Sequence, residues 1–213
     1  LNFLHTSFLL YTLKREFKSG GRSIVKKKYL TIHPDSPYAL MKFQNDLLHY
    51  LKISIKNQPL VIVCDRTERT GDCLGPLVGQ ALLPSSQYSV FGTLKEPIHA
   101  KNLNQNFLKK ILFCLPKSFH HRCRSCLGYA QHVGCITLSP LPLLPGRGVS
   151  KQLPPIGQLS ITGIVNVFSD SVSNESVIQN TRLHTVIKLA DFITNGIKSA
   201  NIPSIYQVSC PHP

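Results

Sequence analysis

Apolar residues recur along this chain with two periods, and the alternation of the two sets the expected fold. Over residues 38–52, Leu40, Phe43, Leu47, Leu48 and Leu51 fall at helical spacing, with Asp35-Ser36-Pro37 leading in. Leu60-Val61-Ile62-Val63-Cys64 is a short unbroken apolar run, the mark of a strand buried on both faces. The pattern then predicts a helix over 75–83 closed by Pro84, a strand over 88–92 and a helix over 103–115. A third strand is expected at 119–125. Further strands at 135–138 and 159–166 flank a Pro- and Gly-rich loop over 140–157. The last helix, about 175–198, places Leu183, Val186, Ile187, Ala190, Ile193 and Ile197 on one face, with Ser173 or Asn174 as its cap. Strand and helix in alternation imply an α/β fold with a mainly parallel sheet covered on both sides.

The strand over 60–64 runs into Thr70-Gly71-Asp72-Cys73-Leu74-Gly75-Pro76, and Pro76 suits the first turn of a helix, where its missing N–H has no partner to lose. One carboxylate, Asp72, therefore sits in a loop at the carboxyl end of a strand, where open α/β sheets place their sites. Asp72 could equally serve as a plain helix cap.

Other motifs follow in order. They are Phe91-Gly92-Thr93-Leu94-Lys95-Glu96-Pro97-Ile98-His99, Cys126-Leu127-Gly128, Val133-Gly134, Leu143-Leu144-Pro145-Gly146-Arg147-Gly148-Val149, Gly163-Ile164-Val165-Asn166 and Asn180-Thr181-Arg182-Leu183. This order, over roughly residues 58–198, resembles the YyaC-type spore protease family of endospore-forming bacteria. The resemblance implies the fold of the germination protease and the hydrogenase-maturation endopeptidases, a three-layer, phosphorylase/hydrolase-like sandwich. It further implies peptide-bond hydrolysis in the cytoplasm of a forespore or mother cell, on protein or peptide substrates such as spore proteins. In those relatives an acid after the first strand matches Asp72, and a second aspartate ends a later strand in a pattern like Ile-Asp-Ala-Cys-Leu-Gly.

Here that segment reads Phe119-His120-His121-Arg122-Cys123-Arg124-Ser125-Cys126-Leu127-Gly128, so Arg124 stands where the family has its acid. Unpaired cations in a buried strand are costly, and the segment reads poorly as one. Frame-shifted reading offers an explanation. Written as TTT CAT CAT CGC TGT CGA TCC TGC and read one base later, it begins Phe-Ile-Ile-Ala-Val-Asp; one restored base returns the frame at Cys126. The same operation turns Asp65-Arg66 into Ile-Gly. The expectation is a hydrolase impaired by two compensated frameshifts. The alternative is a non-catalytic binding protein or the product of a damaged gene.

In an intact relative, two facing carboxylates would share a proton to activate water, since close like charges push their pKa values apart, or would hold a divalent metal. The candidate catalytic positions are Asp72, Arg124 in the place of the second aspartate, Glu96 and His99. His99 is the candidate third metal ligand or proton carrier beside Asp72, against the reading of a loop histidine bonded to backbone. Arg182 is the candidate for orienting a substrate carboxylate or carbonyl, against a surface salt bridge.

Charge and cysteines alter this picture little. The net charge is +14, and seven of the 24 basic residues lie in the first thirty positions, ending in Lys26-Lys27-Lys28. The remainder are scattered without interleaved aromatics, so nucleic acid is not the expected partner. Cys123-x-x-Cys126 with His120, His121 and His132 imitates a zinc site but has no second pair. An odd count of seven cysteines and an amino-terminal apolar patch with no basic residue before it suggest a reducing compartment and no membrane partner. The expected organisation is a basic arm over 1–35, one α/β domain over 36–203 and a tail over 204–213.

Overall fold

The computed structural model describes residues 30–54, 60–64, 69–84, 89–98, 119–140, 159–200 and 202. In chain order these form β1 (Leu30–Ile32), α1 (Ala39–Ser54), β2 (Leu60–Cys64), a 3-10 turn (Thr70–Cys73), α2 (Leu74–Leu82) and β3 (Ser89–Phe91). Then follow β4 (Phe119–Gly128), a second 3-10 turn (Ala130–His132), β5 (Ile136–Ser139), β6 (Leu159–Val167), α3 (Asn174–Gln179) and α4 (Leu183–Lys198).

The strands make one mixed sheet in the order β1-β5-β6-β4-β2-β3. β3, β2, β4 and β6 run parallel to one another, while β5 is antiparallel to both β6 and β1. β5 follows β4 after a short connection, residues 129–135, and runs back antiparallel to β6, the strand that pairs parallel with β4.

One core joins the three longer helices to the sheet. Phe43, Leu47 and Leu51 of α1, Leu74, Val78 and Leu82 of α2, and Val186, Leu189, Ile193 and Ile197 of α4 close over Leu30, Ile32, Cys123, Ile136, Leu138, Ile161 and Val165. Gly163 of β6 lets this happen: a Cβ there would stand 2.5 Å from Leu74 Cδ2 and 3.2 Å from Leu189 Cδ1. A side chain there would press on the tips of Leu74 and Leu189, which would have to move aside.

Several expectations need correction. The folded unit starts before residue 36, because Leu30–Ile32 pairs with Leu138–Ile136 at the sheet edge. The expected last helix is two helices, broken at Asn180-Thr181-Arg182, and its cap is Ser173, whose Oγ accepts from Ser176 N at 3.2 Å. Leu183 and Ile187, expected inward, are 53% and 41% exposed, whereas Leu189 and Thr194 are buried. The segment 119–125 does form a strand, and it lies centrally between β2 and β6. Arg124 is accommodated there half-buried, its Nε donating to the Ser125 carbonyl at 3.2 Å. The helix expected over 103–115 lies outside the described residues. No helix among the described residues is long and apolar enough to cross a membrane.

Candidate active site

The parallel pairing of β2 with β4 brings the loop after one strand against the end of the next. Arg69 is extended, and the chain then tightens into the 3-10 turn, with Asp72 N donating to Arg69 O at 2.8 Å. That turn buries Asp72, which is 4% exposed, and aims it at β4. Ser125 Oγ donates to Asp72 Oδ1 at 3.3 Å, both side chains being buried. A buried carboxylate needs such donors, since leaving it unsatisfied is expensive. The cap position of α2 belongs to Cys73, whose own side chain makes no capping hydrogen bond.

The turn is held from the other side by the segment linking β6 to α4. A Cβ on Gly71 would stand 2.6 Å from Ile178 O and 2.9 Å from Thr181 Oγ1, so only glycine permits this approach. Asn166, at the end of β6, donates from Nδ2 to Val177 O at 3.1 Å and to Thr181 Oγ1 at 3.3 Å. Thr181 Oγ1 in turn donates to Val177 O at 3.0 Å. Arg69 and Glu175 complete the clamp with an ion pair of 3.4 Å. The break between α3 and α4 thus has a cause: Thr181 turns inward, 5% exposed, to meet Gly71 and Asn166.

The other expected residues distribute as follows. Position 124 adjoins Ser125 on a strand whose side chains alternate, so Ser125 is the β4 residue that reaches Asp72 and Arg124 belongs to the opposite face of the sheet. Glu96 is exposed in a turn just past β3, at the same edge of the sheet, with its N–H donating to Thr93 Oγ1 at 3.1 Å. Arg182 stands exposed at the cap position of α4, beside Thr181. His99 lies outside the described residues. Sequence reasoning assigned no role to Ser125, Asn166 and Thr181. The available signal was polar residues within otherwise apolar or motif-bearing segments.

The thiols near this site are poor nucleophiles. Burial, helped by the Asp72 charge, pushes Cys73 up, and its Sγ donates to Arg69 O at 3.4 Å. Burial pushes the Cys126 thiol up to about 11 against the pull of Arg124. Cys123 and Cys126, three residues apart on a strand, fall on opposite faces, which splits the zinc-like pair. Among the described residues no group of three His, Cys, Asp or Glu side chains could hold a metal ion. Among the described residues Asp72 and Ser125 alone offer fewer donors than a divalent cation takes, and His99 lies outside them.

Comparison with known proteins agrees with the motif order. The family model described as "Protein of unknown function (DUF1256)" matches residues 31–196, and the chain belongs to that family. The chain is 40% identical over 143 residues to "Uncharacterized protein YyaC" of Bacillus subtilis (strain 168), an alignment covering 66% of this chain and 68% of the relative.

Proposed function

We propose that this chain descends from an intracellular peptidase of spore-forming bacteria, with its site at the Asp72 turn, and that it binds peptide but hydrolyses it poorly. The observation that carries the reading is the buried Asp72 carboxylate at the carboxyl end of β2, bonded to Ser125 of the adjoining parallel strand. Burial strengthens its interactions with whatever approaches, and β-sheet edges of this kind are where α/β folds do chemistry. Peptide substrate, such as a spore protein, and a cytoplasmic location come from the motif resemblance. The helix read over 103–115 would supply the second covering layer of a three-layer sandwich.

Hydrolysis needs a group that takes a proton from water. The residue meeting Asp72 here is a hydroxyl, and Arg124 replaces the family's second acid, so no pair of carboxylates is available to share one proton. Impaired turnover follows. The test compares this chain with a repaired one carrying Asp65→Ile, Arg66→Gly, His120→Ile, His121→Ile, Arg122→Ala, Cys123→Val, Arg124→Asp and Ser125→Ala. Both are assayed on small acid-soluble spore proteins, with and without divalent metal. In the present register an acid at position 124 would face away from Asp72, so the pair forms only if the repaired strand also shifts by one residue; with that shift the repaired chain should cleave about 10²–10⁴-fold faster, and Asp72→Asn within it should remove the gain. Equal rates in both chains would take position 124 out of the mechanism.

Arg124 favours the second reading, a non-catalytic binding protein. Resequencing the gene separates its two forms: an intact frame through Arg124 in close relatives removes the frameshift explanation and leaves binding as the function.

A further inference from the structure

We propose that residues 169–180, with α3 at their centre, form a hinged cover over the Asp72 turn, latched by the Arg69–Glu175 ion pair, and that its opening admits ligand to the buried carboxylate. From the peptidase reading this takes only the place of the site; it adds how the site is reached.

α3 lies against the turn. Ile178 O and Ile178 Cγ2 would stand 2.6 and 2.9 Å from a Cβ on Gly71, the residue before Asp72. Arg69, at the cap position of the turn, pairs with Glu175 at 3.4 Å. Asp72 itself is 4% exposed, so the closed form is the resting one.

The hold on α3 is slight. It has six residues, none of them buried, and of these only Val177 and Ile178 are half-buried. From outside the segment, Val177 O accepts from Asn166 Nδ2 at 3.1 Å and from Thr181 Oγ1 at 3.0 Å, and Ile178 O accepts from Thr181 N at 3.3 Å. The Glu175 side chain of the ion pair is 67% exposed. α4, by contrast, buries Val186, Leu189, Ile193 and Ile197. A short helix with so little buried surface belongs to the part of a protein that opens locally, well below the free energy of global unfolding.

Both ends of the segment are anchored. Phe168 N donates to Gly128 O at 2.7 Å, and Thr181, buried, accepts from Asn166 Nδ2 at 3.3 Å. Residues 170–176 between them are exposed. The segment can therefore lift between two fixed points while the sheet and α4 stay closed. An ion pair this open to solvent is screened by salt, so the latch loosens as ionic strength rises.

The test is hydrogen–deuterium exchange of the full chain read by mass spectrometry, together with labelling of Asp72 by a carbodiimide and glycinamide. Peptides from 173–180 should exchange faster than those from 185–197. Low urea should speed the second set more than the first, since the larger opening exposes more surface. Arg69→Gln should speed exchange across 173–180 about two- to fivefold, the range of an exposed ion pair, leaving 185–197 and the urea midpoint unmoved. Raising NaCl to about 1 M should act on 173–180 in the same direction. Asp72 labelling should rise by the same factor as exchange. Arg69→Glu should open the cover further, and Arg69→Glu combined with Glu175→Arg should restore part of the protection. Exchange at 173–180 that follows 185–197 in rate and urea dependence overturns the proposal. So does exchange unmoved by Arg69→Gln, or Asp72 labelling that stays flat while exchange rises. Neither readout needs turnover: with these signatures, failure of the repaired chain to cleave sinks the peptidase reading and leaves this one. Cleavage with a flat Asp72 label does the reverse.

Discussion

Ser125 and Asp72 are 53 residues apart in sequence, yet the Ser125 hydroxyl donates to Asp72 Oδ1 at 3.3 Å inside the protein. This bond ties the loop after β2 to the adjoining strand. Removing its donor by Ser125→Ala should cost about 1–3 kcal/mol, the usual penalty for weakening the hydrogen bonding of a buried polar group. Urea denaturation measures it directly. An unmoved midpoint would mean that the carboxylate draws its stabilisation from other donors.

Gly71→Ala should be equally damaging for a steric reason. The new methyl would meet Ile178 O, a backbone atom that cannot swing aside, and Thr181 Oγ1. The expected loss is about 1–3 kcal/mol, as for overpacked cores. Thr181→Ser, which keeps the hydroxyl that the new methyl meets, should recover none of the loss. If Gly71→Ala melts like the parent, the clamp on the Asp72 turn is loose.

Alkaline pH should unfold this protein through Cys126. Its thiol is raised from 9.0 to about 11 in the folded state, chiefly by burial. The folded form therefore holds its proton where the unfolded form gives it up, so the stabilisation is complete below pH 9 and is lost as pH rises towards 11. Urea midpoints measured from pH 8 to 11 should fall, and Cys126→Ala should flatten that fall. A parent and variant that decline in parallel would assign the effect to other groups. At neutral pH the same thiol should resist iodoacetamide, because the thiolate is the reactive form.

The chain should melt below about 50 °C, in the lower part of the mesophilic range. Its central strand, β4, carries His120, His121, Arg122 and Arg124 where neighbouring strands are apolar. His120→Ile, His121→Ile and Arg122→Ala together should raise the melting temperature, read by circular dichroism. A cooperative transition well above 50 °C in the unaltered chain would show that these side chains are comfortably solvated.

The sequence by itself determined what depends on neighbours along the chain. Leu60–Cys64 forms the strand its apolar run predicts, α1 and α2 begin within one residue of their expected starts, and the Asp72 turn lies where strand gives way to helix. These features follow from side-chain period, which the backbone enforces locally. Tertiary structure decided the rest. The helical period runs unbroken through 175–198, yet α3 and α4 part at Thr181, because its hydroxyl is needed by Val177 O and Asn166 and its backbone must pass Gly71. Leu30–Ile32 becomes a strand only because β5 offers it an edge. The sequence drew attention to Arg124, a cation in an expected strand, but the residue that meets Asp72 is Ser125. Which side of a strand faces a given loop is fixed by pleat and register, and register is set by pairing between strands far apart in sequence.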